Sequence, residues 1–176
     1  MSPGAPVTIR RLDGAAARAA LPQLAEVLID CVHGGASVSF MAPLSVERAT
    51  AFWAGVVDGV EAGGRVLLVA EDAGAVVGTV QLILDLPENQ PHRADVAKML
   101  VRRSHRRQGL AARLLAALDD EARAAGRSLL VLDTVTGGDA ERLYPRQGWQ
   151  RVGVVPDYAL MPDGAYCSTT FFYKRL

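Results

Sequence analysis

From Ala94 to Ala125 the chain reads ADVAKMLVRRSHRRQGLAARLLAALDDEARAA: a strand, a basic loop and a long helix in direct succession. Val96, Met99, Leu100 and Val101 form an apolar run of strand length. Leu110, Leu114, Leu115 and Leu118 then recur at the spacing that puts side chains on one face of a helix. The join, Arg106 to Ala111, sets Gly109 and Ala111 at the helix start, where N–H groups lack intrahelical partners and the dipole is positive. A small residue lets a ligand reach that backbone, and the arginines add charge. The pattern predicts an anion-binding turn suited to a pyrophosphate. It also describes a tight turn with a solvated basic face, so the rest of the chain has to decide.

At 176 residues, 50% hydrophobic and 22% charged, the chain can bury one substantial core and reads as a single domain, 1–176. Nineteen basic residues balance 19 acidic ones, which argues against a dedicated nucleic-acid binder. The cluster Arg102, Arg103, Arg106 and Arg107 is therefore a local site. Cys31 and Cys167 make neither a disulfide framework nor a zinc site, and His33, His92 and His105 lack metal-ligand spacing, so no metal is expected. MSPGAPVTIRR lacks the apolar core of a signal peptide, and no apolar run reaches membrane-spanning length. The expectation is a cytoplasmic protein with free thiols and no membrane partner.

In order, Val7 to Arg11 is a strand candidate, and an Ala-rich segment starts at Asp13 or Gly14. Pro22 suits the first turn of a helix whose face is Leu21, Leu24, Leu28 and Val32, ended by His33-Gly34-Gly35. The connection from His33 to Leu44 is unusually apolar, with Val38, Phe40 and Met41, and either folds over something or simply caps the core. Ser45 caps a second helix with Val46, Ala49, Trp53, Val56 and Val60 inward. Arg65 to Glu71 and Val76 to Leu86 flank Asp72-Ala73-Gly74-Ala75 as a hairpin. After the central helix, Ser128 to Thr134 reads as a strand covered on both faces, and Asp139 as the cap of a short helix. Arg151 to Val155 and Ser168 to Arg175 are the last strands of one mixed α/β layer fold.

With RRQGLA opening the central helix and AERLYPRQGW after the next strand, this order resembles the GNAT N-acetyltransferase family. Arg106, Gly109 and Ala111 satisfy the family's coenzyme signature, and Tyr144, Gly148 and Trp149 its later Tyr-x₃-Gly-aromatic segment. The resemblance implies a mixed, mostly antiparallel central sheet with helices on both faces, splayed between the central strand and the next. It also implies acetyl-CoA as acetyl donor and a small-molecule amine as acceptor, in a monomer or homodimer. Residues Arg106, Arg107, Gln108, Gly109, Leu110, Ala111 and Ala112 would hold the pyrophosphate. The backbone of Met99, Leu100 and Val101 would pair with the pantetheine arm and polarise the thioester. An Asn common in the family before the last helix is replaced here by Gly137 or Gly138.

Segments Val32 to Leu44, Arg93 to Val101, Leu132 to Thr134 and Arg151 to Gly164 resemble the tabtoxin-resistance branch of that family, which acetylates a β-lactam amino acid. That branch implies two acidic bases, at Asp95 and Asp133 here. Asp95 stands where the branch has Glu, one methylene shorter, and so acts directly or through a bridging water. A carboxylate suits the task, because an alkyl ammonium of pKa about 10 has to lose a proton before it can attack. Tyr144 occupies the family's place for a general acid, although packing would also account for it. His33, Ser37, Phe40 and Tyr158 are the candidate substrate contacts, a capping role being the other reading of His33. The expected reaction is direct transfer in a ternary complex, since no cysteine occupies the motifs as an acyl carrier. The alternative is a non-catalytic acyl-CoA binding or sensing module.

Overall fold

One parallel strand pair inside an otherwise antiparallel sheet organises the molecule. The computed structural model describes residues 6–176. The start of the expected 1–176 domain, and part of the N-terminal stretch read as lacking a leader, lie outside the described residues. The elements are β1 (Thr8–Leu12), α1 (Gly14–Ala19), α2 (Leu21–His33), α3 (Val46–Glu61), β2 (Arg65–Asp72), β3 (Ala75–Ile83), β4 (Arg93–Val101), α4 (Leu110–Ala124), β5 (Leu129–Val135), α5 (Asp139–Arg146), β6 (Gln150–Leu160) and β7 (Tyr166–Arg175). The sheet order is β1-β2-β3-β4-β5-β7-β6, every neighbouring pair antiparallel except β4–β5. Parallel neighbours need a crossover, and α4 supplies it.

Helices cover both faces, and that explains the unbroken apolar run of β2. Leu67 and Val69 enter a core with α1, α2 and α3, while Val66, Leu68 and Ala70 enter a second core with α4 and α5. The predicted stripe of α4, Leu110, Leu114, Leu115 and Leu118, is buried in that second core. Side-chain caps start the first and third helices: Asp13 accepts from Ala16 N at 2.8 Å and Ser45 from Arg48 N at 3.3 Å, each worth about 1 kcal/mol.

Several boundaries differ from the sequence reading. Val46 is 62% exposed, on the solvent side of the first turn of α3. Gly138 rather than Asp139 caps α5, and Glu141 reaches back to the N–H of Gly137. Only Leu130 and Leu132 of β5 are buried, so that strand is covered on one face. The outer strand β6 runs on to Leu160 past Pro156, and its register with β7 shifts between Val155 and Ala159. An edge strand tolerates a proline because its outer side needs no ladder bond.

The parallel pair is short. It links Arg93 to Leu129, Ala94 to Leu130 and Asp95 to Val131, and then the strands part. Val96 to Val101 and Leu132 to Val135 thus face each other across an open wedge. A bulge marks the same place on the other side of β4. Lys98 has φ 52°, the β3–β4 register slips between Thr79 and Gln81, and Thr79 Oγ1 donates to Lys98 O at 2.9 Å. Beyond the bulge Leu100 enters the core of the first three helices, while Met99 and Val101 pack with the α4 core.

Candidate active site

The loop between β4 and α4 is built to present backbone donors. A 3₁₀ turn, Arg103–His105, leads to Arg107 at φ 61° and Gly109 at φ 75°, both left-handed. No side chain caps α4, and its first intrahelical bond runs from Arg113 N to Gly109 O. The N–H groups of residues 107–112 consequently have no acceptor among the described residues. No atom lies within 4 Å of where a Cβ on Gly109 would sit, so a ligand can approach that backbone.

Most of the basic cluster serves as struts. Arg102 pairs with Glu26 at 2.6 Å. Arg103 reaches Asp30 through its guanidinium at 2.9 Å and its N–H at 2.8 Å. Burial pushes the Asp30 carboxyl up, but these bonds outweigh it and hold the group below the ordinary carboxylate range. Arg106 Nε donates to Val101 O at 3.2 Å and Gln108 Nε2 to Ser104 O at 3.4 Å. Arg107 is exposed and makes no side-chain bond among the described residues.

The wedge opens beside this loop. Arg102 N donates to Val77 O on β3 at 2.8 Å, so strand alternation turns the N–H of Met99 and Val101 the other way, toward the gap. Leu100 lies between them, its side chain in the first core. Cys31 is buried beneath, 3.5 Å from Val101 O, and burial pushes its thiol up; it is not a thiolate nucleophile.

The two predicted acids occupy different places. Asp95 sits on the last paired rung, at the closed end, in a close ion pair with Arg93. Asp133 is exposed, beyond the last rung, with one long contact from Thr169 Oγ1 at 3.4 Å. They share a face of the sheet but form no hydrogen bond with each other, and Arg93, not a second carboxylate, is the partner of Asp95. Tyr144 is 4% exposed and packed on Trp149 and Phe172, with ring centroids 5.8 and 5.6 Å away. Burial, then the charge of Asp133, pushes its phenol well above the ordinary value, so it stays protonated.

The apolar loop after α2 folds over this region and is tied to the β6–β7 hairpin. Ser37 Oγ donates to Leu160 O at 2.8 Å, and Ala42 N to Pro162 O at 3.1 Å. His33 Nε2 accepts from Leu44 N at 3.1 Å and closes the base of the loop, beside a cleft lined by Val32, Ala42 and Met161. Phe40 meets Phe52 edge-on at 5.3 Å, and Tyr158 meets Phe171 at 5.8 Å.

Sequence reasoning passed over Lys98, Phe52, Gln81 and Thr169. Lys98 reaches Ser39 Oγ at 3.3 Å and lies over the Phe52 ring, within the field of Asp133. A lysine in the apolar run ADVAKMLV and a glutamine in AVVGTVQLIL were the available signals.

A family profile described as "Acetyltransferase (GNAT) domain" matches residues 63–151. That span holds the coenzyme loop and the wedge; it leaves out the first three helices and most of the β6–β7 hairpin. A protein of Azospirillum brasilense, described as an uncharacterized N-acetyltransferase in the hisH-hisA intergenic region, is 33% identical over 129 residues, 72% of this chain and 74% of that one. A ribosomal-protein-alanine N-acetyltransferase from Brucella melitensis has the same fold, with a TM-score of 0.80 and 24% identity over 96% of this chain and 99% of that one. So has yncA of Salmonella typhimurium, solved with its cofactor acetyl-CoA, with a TM-score of 0.80 and 22% identity over 98% and 95%. The profile match, the Azospirillum relative and the splayed sheet agree, and the chain belongs to the GNAT N-acetyltransferase family.

Proposed function

We propose that this protein transfers acetyl from acetyl-CoA to the amine of a small amino-acid-like acceptor, directly and within a ternary complex. The run of unpartnered N–H groups at 107–112, beside a wedge edged by Asp133, carries the reading. Those donors fit a diphosphate, with the side chain of Arg107 adding charge. When bound, acetyl-CoA supplies a thioester carbonyl open to an unprotonated amine.

The residues of the chain do the rest. The N–H groups of Met99 and Val101 turn toward the wedge as donors for developing oxyanion charge. Asp133 attracts the ammonium and takes its proton, directly or through water. Asp95, held by Arg93, orders the closed end of the wedge. Tyr144 keeps its proton and offers it as a hydrogen bond to a leaving thiolate. Its phenol is a weaker acid than an ordinary thiol of pKa about 8.5, so hydrogen bonding is favoured over complete transfer. Phe40 and Tyr158 wall the acceptor side, while His33 and Ser37 hold the loop that carries Phe40.

The likeness of that loop to the tabtoxin-resistance branch supports a β-lactam toxin or antibiotic as acceptor, with detoxification as the role, in the cytoplasm. Among the described residues no helix is long and apolar enough to cross a membrane. The homodimer reading has a surface to use, since Val152 and Val155 are exposed on edge strand β6. Thiol release from acetyl-CoA with a panel of amines tests the proposal: acetylated product is expected. Coenzyme binding without release would favour the sensing module instead.

A further inference from the structure

The sheet face turned toward α3 carries donors that the roles above leave unused. Lys98 projects there from the bulge of β4, and none of the ion pairs among the described residues includes it. Burial pushes its ammonium down, Asp133 pulls it back up, and Arg65 adds to the drop. Gln81, level with Ala97 on the neighbouring strand, is 0% exposed. Arg65 Nη1 donates to Gln81 Oε1 at 2.8 Å, which orients the amide and makes Nε2 its free end. That Nε2 is buried with no hydrogen-bond partner. Arg65 is itself pinned under α3, where Gly59 leaves room: a Cβ there would lie 2.8 Å from Arg65 Cδ. A buried donor without an acceptor is costly, and a half-buried ammonium with no close ion-pair partner more so. An anion reaching both groups would relieve both costs.

We propose that Lys98, with Gln81 Nε2 and the nearby charge of Arg65, forms a subsite for the carboxylate of the acceptor. Asp133 attracts an ammonium and Lys98 a carboxylate, so the pair matches a zwitterionic amino acid. This rests on the acetyltransfer reading and narrows its acceptor class.

The test is steady-state thiol release from acetyl-CoA with L-amino acids, each beside its carboxamide. The carboxamides have the less basic amines, so intrinsic reactivity favours them and a preference for the free acid has to come from the protein. The expected preference in kcat/KM is about ten- to hundredfold. Lys98→Met should erase it mainly through KM, and Lys98→Arg should restore part of it. Equal turnover of acids and carboxamides by the unmodified protein overturns the subsite, as does a preference that survives Lys98→Met. Release with neither series also overturns it, and acetyl-CoA titration calorimetry then separates the two readings. Binding together with release from another amine of the panel leaves acetyl transfer standing without this subsite; no binding ends both.

Discussion

The two halves of the proposed site are made of different material. On the coenzyme side, the β4–α4 loop offers main-chain N–H groups, and its side chains mostly brace the loop: Arg102 on Glu26, Arg103 on Asp30, Arg106 on Val101. On the proposed acceptor side the groups brought together are side chains drawn from β3, β4 and β5, Gln81, Lys98 and Asp133, with Phe52 of α3 and Ser39 of the loop after α2 in contact with Lys98. A backbone site needs a conformation, which one glycine and a helix start secure, and many sequences can supply it. A side-chain site needs particular residues, and altering any one of them changes what binds.

This difference can be broken or sharpened by substitution. The largest effect is expected at Asp133: Asp133→Asn should lower kcat by roughly 10²–10⁴-fold, the range for loss of a general base, with coenzyme affinity unchanged by calorimetry. Undiminished turnover would remove Asp133 from the mechanism. Next comes the brace between α4 and the sheet, where Lys174 Nζ donates to the buried Asp119 at 2.5 Å. Lys174→Met leaves that carboxylate without its counter-charge and should cost about 3–5 kcal/mol in denaturant unfolding. Gly109→Val forces a β-branched residue to φ 75°; strain of about 1–2 kcal/mol should weaken coenzyme binding about tenfold while acceptor preference stays the same. A change in acceptor preference would show that the two halves are not separable.

The smallest effect concerns acid. The Asp30 carboxyl is held below its ordinary range in the folded protein. Its contribution is therefore complete above the unfolded pKa of about 4 and disappears as pH falls through the folded value. Stability measured from pH 5 downward should fall more steeply for the unmodified protein than for Asp30→Asn; parallel curves would deny the Arg103–Asp30 strut that role.

The proposed coenzyme half was the one whose local structure was legible. Periodicity alone marked Leu110, Leu114, Leu115 and Leu118, all of which are buried, and Gly109 at the helix start has the left-handed backbone such a turn requires. The acceptor half was less so, because it depends on register and on contacts between distant segments. The bulge that brings Lys98 onto the α3 face comes from a slip against β3, which no local pattern in β4 announces. Asp95 stood out as one methylene shorter than the branch's Glu, but its ion pair with Arg93, two residues back on the same strand, is a feature of the folded chain. The full length of β6 was hidden by Pro156 and by Asp157, whose φ is 51°. The loop after α2 showed its apolar character early, and the hairpin it is tied to only in three dimensions.

Amide nuclear magnetic resonance during titration with coenzyme A tests the backbone cradle most directly. The largest shifts in the spectrum are expected on the N–H groups of residues 107–112, where donors now without an acceptor gain one. Saturable binding that moves other amides and leaves those still would contradict it.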